Sequence, residues 1–359
     1  MTSQARARGA LYGLAIGDAL GMPTQLLSRA QIRDRWGDLL TGFEAAPPDH
    51  PIAAGMPAGS VTDDTEQAVL LGRLLVSGHG TIEPNEFASA LVRWERDMAG
   101  RGSLDLLGPS TRRAVEAVLN GTPPAEAGSA GTTNGAAMRI TPVGIAVPLP
   151  YARATAVAFT RNELSALVDQ VTRASYVTHN TGIALAGAAA VAAAVSAGVG
   201  GATVAEATEM GIQAAHVAAS RGHWVAGADV ASRIAWAAGL ITSRSRRPEA
   251  GGSFPRREAA DLIYRLVGTS LATQESVPAA FAVLAAVPGD PWRACLLAAS
   301  LGGDCDTIAA MAGAIGGACH GLGAFPPEAV AVIEAQDLSL TALADDLLAL
   351  RGRQEGETR

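Results

Sequence analysis

The sequence predicts an all-α fold in a single compact domain, and composition and hydrophobic spacing carry that prediction. Of the 359 residues 48% are hydrophobic but only 4% are aromatic, so the core must consist of Ala, Leu, Val and Ile. Such side chains suit closely packed helices better than a β-sandwich, whose strands favour aromatic and β-branched residues. Alternating strand patterns are scarce and no linker is evident. Length alone would suggest about two domains, but we expect one, over residues 1–350, followed by a polar tail at 351–359.

Apolar residues recur at helical spacing along most of the chain. They predict helices, in chain order, within residues 65–76, 110–119, 152–168, 185–195, 204–219, 229–240, 257–267, 277–286, 291–299, 306–319 and 327–335. Gly78 is expected to end the first of these. The breaks are rich in Gly and Pro, and the longest, residues 45–59, is typical of a functional or mobile loop.

One Ala-rich stretch allows two interpretations. No charged residue lies between Arg173 and Glu206, and residues 183–199 are almost entirely Ala, Gly and Val. Length alone would permit a membrane span. Because the strongly lipid-favouring residues Leu, Ile and Phe are few there, we expect a buried helix in a protein core instead.

Charge and cysteine usage exclude several functional classes. The net charge is -7 and the 27 basic residues are all Arg, which argues against general nucleic-acid binding. The absence of Lys excludes a P-loop NTPase, a Schiff-base enzyme and a protein kinase. Three Cys residues form neither a disulfide scaffold nor a CxxC zinc site. With no signal peptide apparent, we expect a cytoplasmic protein without a membrane or nucleic-acid partner, either a monomer or a small homo-oligomer.

Two short acidic segments are the candidate metal-binding sites of the sequence. Residues 60–65 (SVTDDT) and 302–307 (GGDCDT) each place two carboxylates beside a Thr hydroxyl at the start of an apolar helix. These hard oxygen donors suit Mg²⁺, Mn²⁺ or Ca²⁺. One segment is too small to enclose an ion tightly. Together they could bridge two ions about 3.5–4 Å apart.

Helix capping is the competing explanation for each segment. Asp63 followed by Glu66 fits an N-cap with a capping-box partner, and Asp304 or Asp306 could cap the helix that follows. The adjacent glycines at 302 and 303 favour a ligand, because they let backbone approach it closely. Asp18 could cap a helix or support a metal ligand from behind. His320 beside Cys319 is too few ligands for a zinc site. The histidines at 50, 79, 216 and 223 show no partner in the sequence, so His50 is expected to lack one.

Six motifs in order make the chain resemble the ADP-ribosylglycohydrolase family, which includes the dinitrogenase-reductase-activating glycohydrolases. They are residues 13–21 (GLAIGDALG), 62–65 (TDDT), 105–114 (DLLGPSTRRA), 134–139 (NGAAMR), 178–180 (THN) and 303–307 (GDCDT). The resemblance extends from about residue 9 to residue 323. Any single motif is weak evidence, but the ordered set is specific.

The resemblance implies a compact helical fold with two Mg²⁺ or Mn²⁺ ions in a cleft and an ADP-ribose-bearing protein or small molecule as substrate. By analogy, the metal ligands are Thr62, Asp63, Asp64, Asp304, Asp306 and Thr307. Asn134, Gly135 and His179 match positions near the phosphate and ribose of the ligand, and Asp105 matches an aspartate close to the scissile bond. Asp64, Asp304 and Asp105 are the candidate catalytic residues.

Two positions depart from the family pattern. Cys305 replaces the usual central Thr of the second acidic segment and is expected to face away from the ions. Gln25 stands where many relatives carry Glu, and because a neutral amide cannot act as a base, either it is only a contact or the chemistry differs.

The expected reaction is hydrolysis of a ribosyl bond through an oxocarbenium-like transition state, which nearby carboxylates stabilise. Asp64 or Asp304 would orient the attacking water, Asp105 would assist at the anomeric carbon, and no covalent intermediate is implied. Two alternatives stay open: a nucleoside or ribosyl N-hydrolase of small-molecule metabolism, and a non-catalytic ADP-ribose binder.

Overall fold

The computed structural model describes residues 1–100, 107–149, 161–245 and 255–357. Across these ranges the regular structure is helical, and β-structure is limited to two isolated bridges, Thr133 with Ala272 and Thr181 with His223. The helices are α1 (Ser3–Gly21), α2 (Arg29–Trp36), α3 (Asp63–Ser77), α4 (Pro84–Gly100), α5 (Pro109–Leu119), α6 (Pro124–Ala127), α7 (Gly135–Met138), α8 (Thr141–Ala146), α9 (Arg161–His179), α10 (Gly182–Val199), α11 (Val204–Ala218), α12 (Val230–Ser245), α13 (Arg256–Leu262), α14 (Thr273–Ala286), α15 (Pro291–Ala299), α16 (Cys305–His320), α17 (Pro327–Glu334) and α18 (Leu340–Glu357).

The all-α prediction is confirmed. Every predicted helical segment overlaps a helix, and α3 ends at Gly78 as expected. The predicted segment 152–168 is described only from residue 161 onward, where α9 begins. A π-helical turn at Ile263–Val267 follows α13, and a short 3₁₀ turn at Leu322–Ala324 follows α16.

Helices α1 and α16 pack antiparallel at very short range because both present small residues. Gly9, Gly13 and Gly17 lie four residues apart on one face of α1, where a Cβ atom would overlap a backbone carbonyl oxygen of α16. Gly313 and Gly317 face them, and a Cβ atom at either would overlap a carbonyl oxygen of α1. The two backbones are therefore in direct contact, which sets the position of the N-terminus of α16 against the C-terminal end of α1.

The Ala-rich helix α10 runs through the core. Its length and hydropathy would allow a membrane span, yet 94% of the Gly182–Val199 window is buried inside the protein. It packs against α8, α9, α11 and α16. A helix that is apolar on all sides is accommodated in this way when neighbouring helices cover every face.

The C-terminal helix continues further than the sequence suggested. We expected a polar tail from residue 351, but α18 extends through Glu357. Arg351 is only 6% exposed. Its guanidinium donates hydrogen bonds to the carbonyl oxygens of Gly144, Ile145 and Val147 at the C-terminal end of α8. The arginine satisfies carbonyl groups that a helix end leaves without intrahelical partners, so this turn of α18 is part of the folded domain.

Candidate functional site

The first acidic segment is held at the N-terminus of α3 by a carboxylate from α1. Asp18 is fully buried and accepts hydrogen bonds from the backbone N–H groups and the hydroxyls of Thr62 and Thr65. Thr62 occupies the N-cap position without making a side-chain capping bond. Asp18 therefore satisfies two backbone donors of this helix end, Thr62 N and Thr65 N, from outside the helix. Asp63 and Asp64 lie between them in the first turn.

The capping explanation for this segment is wrong. Asp63 is the first residue of α3 rather than its N-cap, and its carboxylate accepts from the side-chain amide of Gln67. The N-cap residue Thr62 makes no side-chain capping bond, and the carboxylate of Glu66 accepts a hydrogen bond from the indole of Trp94.

The second acidic segment is held by a glycine turn that other residues could not adopt. Gly302 and Gly303 have φ values of 88° and 72°, in the left-handed region that favours glycine. The turn is fixed by hydrogen bonds from Leu26 N to Gly303 O at 2.7 Å and from Asp304 N to Thr269 O at 2.7 Å. Asp304 stands at the N-cap of α16 but makes no side-chain capping bond, so capping does not account for this carboxylate either.

The fold brings the two segments into contact. The Thr307 hydroxyl lies 3.2 Å from Oδ1 and 3.1 Å from Oδ2 of Asp64, to which it donates. Asp63, Asp304, Asp306 and Thr307 line one cleft. Asp64 and Thr62 are 0% and 1% exposed and lie beneath this acidic floor.

Burial and mutual repulsion oppose ionisation of this cluster. The pKa of Asp64 is raised well above its usual value, first by burial and then by the charges of Asp306, Asp18, Asp63 and Asp304. Burial also raises the pKa of Asp304, against the lowering effect of hydrogen bonds from Asn134 and Thr307. Burial raises the pKa of Asp18 to about 6. Several carboxylates gathered in this way favour binding of a compensating cation.

The donor set fits a hard divalent cation in its chemistry, with four carboxylates and two hydroxyls at the base of the cleft. In the described part of the chain, however, no three His, Cys, Asp or Glu side chains are arranged as a complete set of metal ligands. The Thr307 hydroxyl donates a hydrogen bond to the carboxylate of Asp64, and the Asn134 amide donates one to the carboxylate of Asp304. Each carboxylate keeps further lone pairs beside these hydrogen bonds, so a cation could bind without displacing either donor.

Two further predicted residues line the same cleft. Asn134 donates its amide N–H to the carboxylate of Asp304 and, at 3.0 Å, to Ser276 Oγ. Gly135 also lines the cleft, and a Cβ atom there would come within 3.0 Å of the His179 ring. In this structure Asn134 thus orients a carboxylate of the floor, and Gly135 provides the space that His179 requires.

His179 lies directly behind the lining of the cleft, in contact with Thr133 and next to Gly135. Its side chain is fully buried, and its expected contact with the ligand stays a prediction. Its Nε2 lies 3.0 Å from the Thr133 hydroxyl. Burial, reinforced by the charges of Arg139 and Arg113, lowers its pKa well below 6.5, so the ring is neutral. His179 is the last residue of α9, and α10 begins three residues later. This end of α9 lies in the core, which explains why the ring is buried.

Asp105, the remaining candidate, lies outside the described residues. Nearby described residues Leu107, Pro109 and Arg112 form one side of the cleft mouth. Arg112 is an exposed cation that pairs with Glu95 at 3.3 Å.

Two hydrogen bonds of His50, not foreseen from the sequence, fix the long loop at residues 45–59. His50, which we expected to lack a partner, accepts from the backbone N–H of Ala53 at 2.9 Å through Nδ1. Because Nδ1 is an acceptor, Nε2 carries the proton and donates to Gln25 O, 2.9 Å away. Gln25 and the loop residue Ile52 both line the cleft. His50 therefore connects the loop by hydrogen bonds to the segment that contains Gln25, beside the cleft.

A sequence profile of the ADP-ribosylglycohydrolase family matches residues 1–357. The chain is 32% identical over 351 residues to the uncharacterised protein YegU of Escherichia coli strain K12, an alignment covering 98% of each chain. It is 34% identical over 186 residues to the ADP-ribosylarginine hydrolase Tri1 of Pseudomonas putida strain GB-1, covering 49% of this chain and 42% of that one.

A further relative is the ADP-ribosyl-[dinitrogen reductase] glycohydrolase of Rhodospirillum rubrum, 32% identical over 146 residues, with 39% of this chain and 44% of that one covered. Among solved structures, an ADP-ribosylglycohydrolase-related protein complex superimposes with a TM-score of 0.66 at 25% identity, and the alignment covers 97% of this chain and 99% of the other.

Proposed function

The chain belongs to the ADP-ribosylglycohydrolase family of glycoside hydrolases, and from this premise we propose that it removes ADP-ribose from a protein or small-molecule conjugate with the aid of two Mg²⁺ or Mn²⁺ ions. The single observation that carries the proposal is the meeting of the two acidic segments through Thr307 and Asp64 at the base of one cleft. Relatives that act on ADP-ribosylated arginine and on ADP-ribosylated dinitrogen reductase support the substrate class.

The cleft suits such a substrate in polarity. Acidic groups line the floor, whereas Leu26, Ile52, Leu107 and Leu271 provide apolar surface. A ribose would face the floor, and the apolar residues would shield the rest of the ligand from water.

The proposed ligands of the cations are Thr62, Asp63, Asp64, Asp304, Asp306 and Thr307. When bound, such ions supply Lewis acidity and make a neighbouring water easier to deprotonate. Asp64 or Asp304 would orient the attacking water, and the remaining carboxylates would stabilise positive charge that develops on the ribose ring. Asn134 would hold Asp304 in place for this task through its amide N–H.

The test is release of ADP-ribose from ADP-ribosylated arginine and from an ADP-ribosylated protein, followed by chromatography. We expect the double variant Asp64→Asn, Asp304→Asn to lose at least about a hundredfold in rate, as for loss of groups that act on the reacting atoms. The matched control is Asp346→Asn, which changes an exposed carboxylate on α18 and should keep the wild-type rate. A double variant with undiminished rate would overturn the assignment, and a wild type that binds but never cleaves ADP-ribosyl conjugates would indicate a binder.

A nucleoside or ribosyl N-hydrolase is the second candidate, and the cation content of the cleft favours it. Among the described lining residues Arg112 is the one cationic side chain, and it is 48% exposed and paired with Glu95. A pyrophosphate would gain little from it. Thermal unfolding with Mg²⁺ and either ADP-ribose or adenosine separates the candidates, because a ligand of the folded state raises the melting temperature. Stabilisation by adenosine but not by ADP-ribose would favour the second candidate.

A further inference from the structure

Arg139 is a fully buried cation behind the cleft. It follows α7, its side chain is 0% exposed, and its guanidinium lies over the Phe87 ring at 5.0 Å from the centroid. Within the described residues it forms no ion pair, and its Nε has no hydrogen-bond partner. Burial lowers its pKa to about 10, so it remains charged at neutral pH. A buried unpaired charge is costly, which makes its two remaining contacts informative.

One arm of this guanidinium reaches the acidic floor. Arg139 Nη1 donates to Gln67 Oε1 at 2.8 Å, and Gln67 Nε2 donates to Asp63 Oδ2 at 2.9 Å. A guanidinium can only donate hydrogen bonds. It therefore fixes the Gln67 amide with its oxygen toward Arg139 and its N–H groups toward Asp63.

The second terminal nitrogen of the guanidinium, Nη2, leads through Thr178 and His179 to Thr133 in the cleft lining. Arg139 Nη2 donates to the Thr178 hydroxyl at 2.6 Å. The same hydroxyl lies 2.8 Å from His179 Nδ1 but 3.4 Å from Ser175 O. On the far side of the ring, His179 Nε2 lies 3.0 Å from the hydroxyl of Thr133, which lines the cleft.

Distances and proton counting favour one direction for the hydrogen bonds that start at Arg139 Nη2. Thr178 accepts from Arg139, so its own single proton is available for the nearer acceptor, Nδ1 of His179. The ring is neutral, and with Nδ1 accepting, the ring proton must be on Nε2. Nε2–H then donates to the Thr133 hydroxyl, whose own proton is left to point into the cleft.

We propose that Arg139 is a positioning residue that sets the hydrogen-bond polarity of the acidic floor, through Gln67 to Asp63, and of the cleft wall at Thr133, through Thr178 and His179. The Thr133 hydroxyl consequently offers its proton to an acceptor oxygen of the ligand. The carboxylate of Asp63 is oriented by the hydrogen bond that it accepts from Gln67 Nε2. This inference rests on the proposed function for the identity of the ligand, but the proton positions do not depend on it.

The direct test is nitrogen NMR of the histidine rings in protein labelled with ¹⁵N-histidine, with His179 assigned through the variant His179→Gln. In the wild type we expect a neutral His179 ring protonated at Nε2. Thr178→Val removes the donor to Nδ1 with little change of shape, and the ratio of the Nε2–H to the Nδ1–H form should fall about fivefold, the worth of one hydrogen bond. Thr178→Ser restores the hydroxyl and should restore the wild-type ratio.

Arg113→Gln is the matched control, because it removes the other cation that acts on His179 without touching the relay. It should leave the tautomer unchanged. Arg139→Met should shift the ratio in the same sense as Thr178→Val, and the Thr178 pair keeps the test valid if this core variant does not fold. A wild-type ring protonated at Nδ1, or a Thr178→Val ring that keeps the wild-type ratio, would overturn the proposal.

Calorimetric titration with ADP-ribose gives the second readout. Thr178→Val and Thr133→Val should each weaken binding about fivefold, Thr178→Ser should not, and the double variant should be no weaker than the single ones, because both remove the same donor. Additive losses would contradict the relay. Failure of the wild type to bind ADP-ribose would instead count against the proposed function, and the NMR result would still decide the proton positions.

Discussion

The hydroxyl of Thr307 donates to the carboxylate of Asp64 at 3.1 Å, although the two residues are 243 positions apart in the sequence. This contact joins the N-terminus of α16 to the N-terminus of α3. It exists because α1 carries both the glycine face that receives α16 and Asp18, the carboxylate that holds α3.

Replacing Thr307 by Val should weaken divalent cation binding. The change removes a proposed ligand and the hydrogen bond that orients Asp64, while side-chain shape is nearly kept. We expect Mn²⁺ affinity measured by calorimetry to fall at least about tenfold, since a hydrogen bond to a charged group is worth about 1.5–3 kcal/mol. Thr208→Val is the control, because that hydroxyl bonds only to its own helix at Val204 O. Equal affinities in both variants would contradict the proposed role.

Replacing Asp18 by Ala should destabilise the protein and disorder the first acidic segment. Four donors of Thr62 and Thr65 would lose their acceptor in a buried site. Leaving one buried donor unsatisfied costs about 1–3 kcal/mol, so we expect the four together to cost at least about 3 kcal/mol in urea unfolding. Asp18→Asn keeps one acceptor oxygen and should lose less. An Asp18→Ala protein as stable as the wild type would show that these bonds do not hold α3.

A Gly→Ala change in the contact between α1 and α16 should destabilise the protein, whereas one at an exposed helical glycine elsewhere should stabilise it. At Gly13 a methyl group would overlap the Gly313 carbonyl oxygen, and overpacking of this kind costs about 1–3 kcal/mol. At Gly239 on α12 the added methyl meets nothing within 4 Å, so better helix propensity should stabilise by about 0.5–1 kcal/mol. Urea unfolding of both variants measures the difference, and a destabilised Gly239→Ala would undermine the comparison.

The neutral, buried ring of His179 predicts a loss of stability in acid. Its pKa is held well below 6.5 in the folded state, so below pH 6.5 the unfolded chain binds a proton that the folded protein does not. Stability is therefore complete above pH 6.5 and declines as the pH falls. Between pH 6.5 and 5.5 the wild type should lose about 1 kcal/mol more than His179→Gln. Parallel unfolding curves for the two proteins would mean that the folded ring also takes up a proton.

Much of the fold follows from local sequence patterns. The apolar spacing that marks α3, α15 and α16 is a property of each segment alone, and the structure confirms it. Helix α4 was missed although Phe87, Leu91, Trp94 and Met98 are buried at helical spacing on it. The four-residue spacing of Gly9, Gly13 and Gly17 could likewise have predicted the close contact with a second helix, which is the contact that assembles the site.

The buried polar network could not be predicted in the same way. Gln67, Thr178 and Arg139 come from three separate elements, and nothing in their local sequence specifies that one guanidinium meets both others. The position of His179 also depends on tertiary packing: the Thr-His motif is compatible with a ligand contact, but only the fold determines that Thr133 lies between the ring and the cleft. Hydrogen-bond partners distant in sequence are fixed by packing, not by spacing.

The central claim is a cation-dependent hydrolase site built from two acidic segments, and its most direct test is the rate of ADP-ribose release by the wild type before and after removal of divalent cations. The account predicts that a chelator abolishes release and that added Mg²⁺ or Mn²⁺ restores it in the wild type but not in the variant Asp64→Asn, Asp304→Asn. A chelated wild type that releases ADP-ribose at its full rate would contradict the account.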